Sequence, residues 1–235
     1  MGKILLIETA TEVCSAAVAV SGNVIAIEEM PDCLKHTAVL PLQIQRCLEL
    51  AGMSPVDLDA IAISGGPGSY TTLRTGVSLA KGMCYALQKP LIAIDTLQAL
   101  AWACREIRET PLESETLYMP MLDARRNEVW TALYDRHLQE VVARSPLILE
   151  HILFENYVKT YKNGDFYVIC GNGTLKMPKM LFNKKTVGSC VLSCSARYLT
   201  VLAEEKFNRR EFENLAGFEP FYMKDPNITT SVKFS

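Results

Sequence analysis

The chain has little net charge and no long apolar run. Its 24 lysines and arginines are nearly balanced by 26 aspartates and glutamates, which leaves a formal charge of −2 at pH 7. Strong autonomous binding to nucleic acid needs a basic face that neutralises phosphates, so this balance argues against it. The first apolar run, residues 4–7, is interrupted by Glu8 and is too short for a signal peptide or a membrane span. We therefore expect a cytoplasmic protein with no membrane segment.

Cysteine and histidine lack the arrangements that are typical of metal sites. None of the eight cysteines forms a Cys-x-x-Cys pair, and most have apolar neighbours, which is typical of buried thiols in a reducing compartment. The three histidines are His36, His137 and His151. Four residues after His36 stands Leu40, which cannot bind a metal, and there is no His-Glu-x-x-His motif. We predict no metal site, and a polar role for His36 at the start of a helix.

The length and the apolar pattern predict a mixed α/β fold. With 235 residues, 49% of them hydrophobic, the chain can bury a sizeable core in one large or two small domains. The first half predicts the order β-β-β-α-β-α, a mixed sheet covered by helices. Its predicted strands are 3–8, 14–20, 24–28, 60–63 and 91–94, and its predicted helices are 38–51, 72–88 and one from Asp95 or Thr96 to about 108. The second half predicts strands near 117–122, 128–134 and 166–170 and helices near 150–161 and 195–208, with 171–193 poorly defined.

A glycine-rich turn, residues 64–76, joins a predicted strand to a predicted helix. Gly66 and Gly68 can adopt positive φ and allow a close backbone approach. Ser69 is a candidate N-cap, as are Thr71 and Thr72, and a free helix N-terminus is a generic anion site. However, no Gly-Lys-Ser/Thr follows the glycines, and the dinucleotide-binding spacing is missing. The residues alone favour a structural turn over a phosphate-binding loop.

The predicted helix 72–88 is apolar on two sides. One stripe contains Leu73, and a second runs through Gly76, Leu79, Met83 and Ala86. A helix that lies on a sheet with its other side in water should carry a single stripe. The second stripe therefore predicts burial against helix 38–51, against another chain, or against both.

Five segments of the chain resemble the TsaB (YeaZ) family. Residues 66–74, GPGSYTTLR, resemble the family signature GPGSFTGLR. Four others follow in the family's order: residues 4–11 (ILLIETAT), 36–41 (HTAVLP), 123–130 (DARRNEVW) and 219–224 (EPFYMK). The resemblance covers nearly the whole chain. It implies the two-lobed actin-like ATPase superfold (ASKHA, ribonuclease H-like), with residues 1–105 and 210–235 in the first lobe and 106–209 in the second.

The resemblance also implies a function. The family is the non-catalytic partner of the TsaD subunit in bacterial synthesis of threonylcarbamoyladenosine on tRNA. The chain would need no cofactor of its own. ATP would be used by the complex, which also recruits the ATPase TsaE, and tRNA would be contacted only through the complex. The alternative is a stand-alone small-molecule kinase or ATPase of the same superfold. The sequence does not decide whether the chain is a monomer or a homodimer in the absence of TsaD.

The implied site residues fall into two groups. The family pairs with TsaD through two helices, which here are 38–51 and 72–88. Their predicted interface residues are Leu40, Ile44, Leu48, Leu73, Gly76, Leu79, Met83 and Ala86. Predicted turn or polar residues are Glu8, Thr9, Gly66, Gly68, Ser69, Arg74, Asp123 and Arg125. Glu8 stands where the family usually has aspartate, so an inherited catalytic role is not expected. Arg74 either fixes the glycine turn or meets the partner, and Asp123 and Arg125 form an ion-paired turn or a polar surface at the interdomain cleft.

Overall fold

A computed structural model describes residues 2–107, 116–159, 166–178, 186–190 and 192–222. Within these ranges the chain forms two sheets of five strands each, with helices between and outside them. The first half contains β1 (Lys3–Glu8), β2 (Cys14–Val20), β3 (Asn23–Met30), α1 (His36–Leu50), β4 (Ala60–Ser64), α2 (Tyr70–Leu87), β5 (Leu91–Ile94) and α3 (Thr96–Ile107). The second contains β6 (Thr116–Asp123), β7 (Glu128–Tyr134), β8 (Glu140–Ile148), α4 (His151–Lys159), β9 (Phe166–Cys170), β10 (Thr186–Cys190) and α5 (Thr200–Arg209).

The first sheet has the order β3-β2-β1-β4-β5. The central strand β1 is antiparallel to β2 and parallel to β4. Every residue from Ile4 to Glu8 is buried, because helices cover both faces of the sheet. Ser21 and Gly22 both have positive φ in the turn between β2 and β3, which suits a tight hairpin. The predicted mixed sheet is confirmed.

Helices α1 and α2 pack on one face of this sheet, and α5 with part of α3 packs on the other. Helix α1 begins at His36, two residues before the predicted start, so Pro41 lies in its second turn instead of the first. The helix ends as predicted: Gly52 follows it with φ of 64°.

The second sheet has the order β10-β9-β6-β7-β8. Helix α3 lies between the two sheets, because its apolar residues Leu97, Leu100 and Cys104 join a cluster with residues of the second sheet. Helix α4 covers the opposite face of that sheet through Phe154 and Val158. The layers are therefore α1 and α2, first sheet, α3 and α5, second sheet, and α4.

The chain returns to the first sheet earlier than the predicted boundary at residue 209. Ala196, Leu199, Leu202 and Ala203 are buried against β1, β2 and β4. This segment is a short 3₁₀ helix, residues 196–199, followed by α5, where one helix over 195–208 was predicted. Residues 213–221 continue along the same lobe, since Glu213 N–H donates to Leu91 O over 2.9 Å. Among the described helices, none has the length and apolar character needed to cross a membrane.

Candidate functional site

The glycine turn lies between β4 and α2 and is closed by the chain itself. Gly65 N–H donates to Ile94 O over 2.7 Å, and Ser69 N–H donates to Ala10 O over 2.7 Å. Ser69 is the N-cap residue of α2, although its side chain makes no capping hydrogen bond. These two backbone donors of the turn are thus bonded to backbone carbonyls and are not available to an anion.

Gly66 and Gly68 are needed for close packing. Gly66 has φ of 99°, and a Cβ built there would lie 2.6 Å from Phe221 O. A Cβ on Gly68 would lie 2.5 Å from Ala10 O. The first glycine makes room for the C-terminal segment and the second for the turn after β1. In this structure the segment acts as a structural turn that joins three parts of the first lobe.

Glu8, at the end of β1, is fully buried beside that turn. Its Oε1 accepts a hydrogen bond from Ala10 N–H over 2.6 Å, and Ser64 also bonds the carboxyl group. Burial raises the pKa of Glu8 from 4.5 to about 7, against the lowering effect of these donors. The carboxyl group is therefore used inside the lobe to hold the turn of residues 8–10.

Thr9 and Gly76 meet where α2 crosses the end of β1. Thr9 is buried, and its Oγ1 has no hydrogen-bond partner among the described residues. A Cβ on Gly76 would lie 2.2 Å from that oxygen. The close approach that Gly76 permits is therefore to β1 of the same chain, and the prediction of Gly76 as an interface residue is wrong.

Most of the predicted interface residues belong to the core. Leu40, Ile44 and Leu48 on α1 and Leu73 on α2 are buried, so they cannot contact a partner in this conformation. They lie in the core because one side of α1 and one side of α2 pack against the sheet. Leu79 and Met83 are half-buried and pack against the same core, whereas Ala86 is exposed. The second stripe thus largely serves packing within the first lobe.

The solvent sides of α1 and α2 form one surface, which we call the helical face. On α2 it presents Thr71, Ser78, Gly82, Tyr85 and Ala86, all of them exposed. On α1 it presents Leu42 and Leu50, and Leu34 is exposed just before the helix. The sequence singled out Ala86 as an interface residue and Thr71 as a candidate N-cap. It did not single out Ser78, Tyr85 or the exposed leucines, because small and polar side chains mixed with isolated apolar ones give no periodic signal.

A groove of about 660 Å³ lies between the first turns of α1 and the first half of α2. His36 and Pro41 line one side, and Arg74 and Ser78 line the other. Arg74 Nη1 donates to Tyr70 Oη over 2.8 Å, and its guanidinium lies 5.1 Å from the Tyr70 ring centroid. Arg74 thus borders the groove, and its hydrogen bond goes to Tyr70, the first residue of α2.

The tyrosine beside Arg74 connects α2 to the C-terminal segment. The rings of Tyr70 and Tyr222 lie 4.5 Å apart between centroids. Lys81, farther along α2, donates to the carbonyls of Ala216 and Phe218 over 3.3 and 2.9 Å. The C-terminal segment therefore packs along α2 at Tyr70 and Lys81.

Asp123 and Arg125 form a turn, but not an ion pair with each other. Asp123 accepts a hydrogen bond from the backbone N–H of Arg125, and its carboxylate pairs with Lys176. Lys176 is held close to Asp123, because its Nζ also donates to Arg126 O over 2.8 Å. This turn meets the first lobe through Asn172, whose Nδ2 lies 3.4 Å from Glu12 Oε1. The turn that contains Asp123 and Arg125 is therefore part of a polar bridge between the two lobes.

A second polar bridge, which the sequence did not predict, lies at the start of α3. Asp95 caps the helix by accepting from Gln98 N–H over 2.8 Å, which selects it from the two predicted starts, Asp95 and Thr96. Its carboxyl group also accepts from Tyr134 Oη and pairs with Arg144 of β8. Burial raises the pKa of Asp95, while the Arg144 charge lowers it. Arg144 also lies 5.1 Å from the Phe221 ring centroid. Residues this distant in sequence offer no local signal.

The structure resembles solved proteins of one superfold. YeaZ from Pseudomonas aeruginosa aligns with a TM-score of 0.76 at 24% identity, covering 94% of this chain and 100% of that one. A ROK hexokinase from Thermus thermophilus aligns with a TM-score of 0.50 at 12% identity over 89% of this chain and 99% of that one. The chain has two mixed sheets with helices on both faces. Together with the likeness to these two structures, this arrangement defines the fold as that of the actin-like ATPase superfold.

A family model described as TsaD, tRNA N6-adenosine threonylcarbamoyltransferase, matches residues 33–234. Together with the relatives that follow, this match shows that the chain belongs to the TsaB (YeaZ) family, within that wider group. The tRNA threonylcarbamoyladenosine biosynthesis protein TsaB of Bacillus subtilis is 35% identical over 177 residues, 73% of this chain and 72% of that protein. The protein of the same name in Haemophilus influenzae is 26% identical over 228 residues, 94% of this chain and 93% of that protein.

The chain is also similar to part of a second kind of protein. A tRNA N6-adenosine threonylcarbamoyltransferase of Thermus thermophilus is 42% identical over 71 residues, which make up 29% of this chain and 22% of that protein. The similarity is local, and over its length the percentage identity is higher than that to either of these TsaB relatives.

Proposed function

We propose that this chain is a non-catalytic partner subunit in the formation of N6-threonylcarbamoyladenosine at position 37 of tRNAs that read codons beginning with A. It pairs with a paralogue of the TsaD type, which supplies the catalytic groups. The ATPase TsaE joins the assembly, ATP is used by the complex, and tRNA is contacted only through it. The pathway follows from the TsaB relatives.

The observation that carries the proposal is the exposed character of the helical face. Tyr85 on α2 is 73% exposed, and large exposed tyrosines are frequent anchors of protein interfaces. Beside it, a Cβ on Gly82 would meet no atom within 4 Å, so a partner's backbone could approach α2 closely there. Leu42 and Leu50 add exposed apolar area on α1.

The local similarity to a threonylcarbamoyltransferase supports a partner of related fold. Two chains that share a lobe can pair like surfaces about a pseudo-two-fold axis, as identical subunits do about a true one. The same surface could pair two copies of this chain when the paralogue is absent.

The burial of Glu8 supports the non-catalytic role. Kinases of this superfold need an acidic group that reaches metal and water at the first turn. Here the carboxyl group holds the N–H of Ala10 inside the lobe. In the glycine turn, Gly65 N–H and Ser69 N–H likewise donate to backbone carbonyls.

Binding of the same organism's TsaD-type paralogue to this chain tests the proposal. Tyr85→Glu is expected to weaken the affinity at least about tenfold, or about 1.4 kcal/mol, because it places a charge in the buried contact. Ile152→Glu on α4 is the matched control, since Ile152 is 71% exposed and lies on the other lobe. We expect its binding to equal that of the wild type.

Calorimetry and size-exclusion chromatography measure this binding, and circular dichroism checks that both variants fold. Equal affinity for Tyr85→Glu and the wild type would contradict the proposed surface. A separate assay measures ATP–Mg turnover by the chain alone, for which none is expected. Turnover that Glu8→Gln abolishes would establish the alternative, a stand-alone kinase or ATPase.

A further inference from the structure

Two buried thiols and an imidazole meet at the start of α1. Cys14 is the first residue of β2, Cys33 lies in the loop between β3 and α1, and His36 is the first residue of α1. The two sulfurs and a ring nitrogen of His36 all lie within 4.8 Å of one another. All three side chains are buried. The cluster lies outside the glycine turn and the helical face.

The backbone around the cluster holds the three residues in place. Cys33 N–H donates to Glu12 O over 2.7 Å, which ties the loop before α1 to the loop before β2. The Nε2 atom of His36 lies 3.4 Å from Val13 O. Gln43, one of the buried residues of α1, donates from Nε2 to Cys14 O over 3.0 Å. The ligand atoms are thus brought together by contacts that do not require an ion.

The polar groups beside the cluster are incompletely satisfied. Gln43 Oε1 is buried and has no hydrogen-bond partner among the described residues. This acceptor belongs to the amide that donates to the backbone carbonyl of Cys14, one member of the cluster. A buried acceptor without a donor is unfavourable, so a buried water molecule near Cys14 would be stabilising.

The residue types and their spacing suit a soft divalent cation. Thiolate and imidazole ligands select zinc over magnesium or calcium. Cys33 and His36 have two residues between them, the short spacing by which one chain segment supplies two ligands to a structural metal. Metal–sulfur bonds of about 2.3 Å and metal–nitrogen bonds of about 2.0 Å in a tetrahedron put ligand atoms roughly 3.5–3.8 Å apart. Small side-chain rotations would bring the present atoms to that separation.

We propose that Cys14, Cys33 and His36 form a binding site for one zinc ion, with the fourth position left to water. Each thiol gives up its proton to solvent when it binds, so two thiolates neutralise the dication inside the lobe. His36 also lines the groove between α1 and α2, which offers the ion a path to the cluster. The expected consequence is a firmer attachment of the start of α1 to β2.

Cobalt and zinc binding to the full chain test the site. After treatment with chelator and reductant, the protein is titrated with Co²⁺ under anaerobic conditions. We expect one equivalent to bind with sulfur-to-cobalt charge-transfer absorption and the visible bands of a tetrahedral ion. Zinc is expected to displace it, to appear as one ion per chain in native mass spectrometry, and to raise the melting temperature.

Cys33→Ser and His36→Asn are expected to weaken binding at least tenfold and to remove the thermal shift. Cys84→Ser is the matched control, because Cys84 is an equally buried thiol of the same apolar cluster but is not a ligand. It should bind one ion with unchanged spectra even if it is less stable. Substoichiometric binding by the wild type, or full binding by Cys33→Ser, would overturn the proposal. The second outcome would point to other thiols, such as Cys104 and Cys190, whose sulfurs lie 3.5 Å apart.

Discussion

The two glycines of α2 are expected to respond in opposite ways to replacement by alanine. Gly76 faces β1, where a Cβ would lie 2.2 Å from Thr9 Oγ1 and 3.1 Å from both Thr9 Cγ2 and Ile63 Cδ1. Both branches of the Thr9 side chain lie near this position, so the new methyl group requires Thr9 or the helix to shift. Gly82 faces solvent, where the same Cβ would meet no atom within 4 Å.

The magnitudes follow from two terms. Alanine in a helix interior is more favourable than glycine by about 1 kcal/mol, and this gain applies to both positions. At Gly76 the added methyl group overpacks a closed site, which costs about 1–3 kcal/mol. We therefore expect Gly82→Ala to stabilise the fold by about 1 kcal/mol and Gly76→Ala to be less stable than Gly82→Ala by about 1–3 kcal/mol.

Urea unfolding followed by circular dichroism measures both free energies. Thr9→Ala in the Gly76→Ala background removes the two nearest contacts, so a double-mutant cycle should show favourable coupling between these positions. The reasoning would be refuted if Gly76→Ala proved as stable as Gly82→Ala. That result would show that Gly76 is not packed tightly against Thr9 and Ile63, as is expected of an interface residue.

Three further predictions concern Glu8, the Asp95–Arg144 ion pair and Gly66. Because burial raises the pKa of Glu8 to about 7, the folded state binds more protons than the unfolded state between pH 4.5 and 7. Stability should therefore fall across that window by up to about 3 kcal/mol as pH rises, and Glu8→Gln should flatten the profile in urea titrations. Arg144→Met should destabilise the chain by roughly 1–3 kcal/mol, because the Asp95 carboxyl group loses its cation. Asp95→Asn in that background should recover part of the loss in thermal unfolding. Gly66→Ala should cost about 2 kcal/mol or more, since φ is 99° and the methyl group would meet Phe221 O; equal melting temperatures would contradict this.

The first lobe was largely predictable because its signals are local. Residues 4–7 and 60–63 are short apolar runs bounded by turn residues, and Gly52 marks the end of α1. In contrast, β8 escaped prediction because it is mostly exposed or half-buried and contains Pro146, both properties of an edge strand. The strand β10 has five residues with a glycine at its centre, too short for a periodic pattern.

The candidate site was less predictable because its main contacts join distant residues. A periodic apolar pattern reports that a side chain is buried, but it does not report what buries it. Leu73 is buried within its own chain and Gly76 packs against Thr9 and Ile63, yet the sequence pattern led us to predict both as partner contacts. The cluster at His36 was missed for the related reason that its third member, Cys14, lies 22 residues away in sequence.

Whether a side chain is buried by its own chain or is open to a partner also decides how a partner surface on this fold must be tested. The half-buried Leu79 and Met83 support the core, so charging them would remove stability and binding together and could not separate the two. Tyr85 lies on the same helix but is exposed, and Gly82 beside it leaves space instead of filling it. A charge at Tyr85 alters only what approaches from solvent. Loss of binding in a variant of unchanged stability would therefore assign the surface to the partner, which the apolar periodicity of α2 could not do.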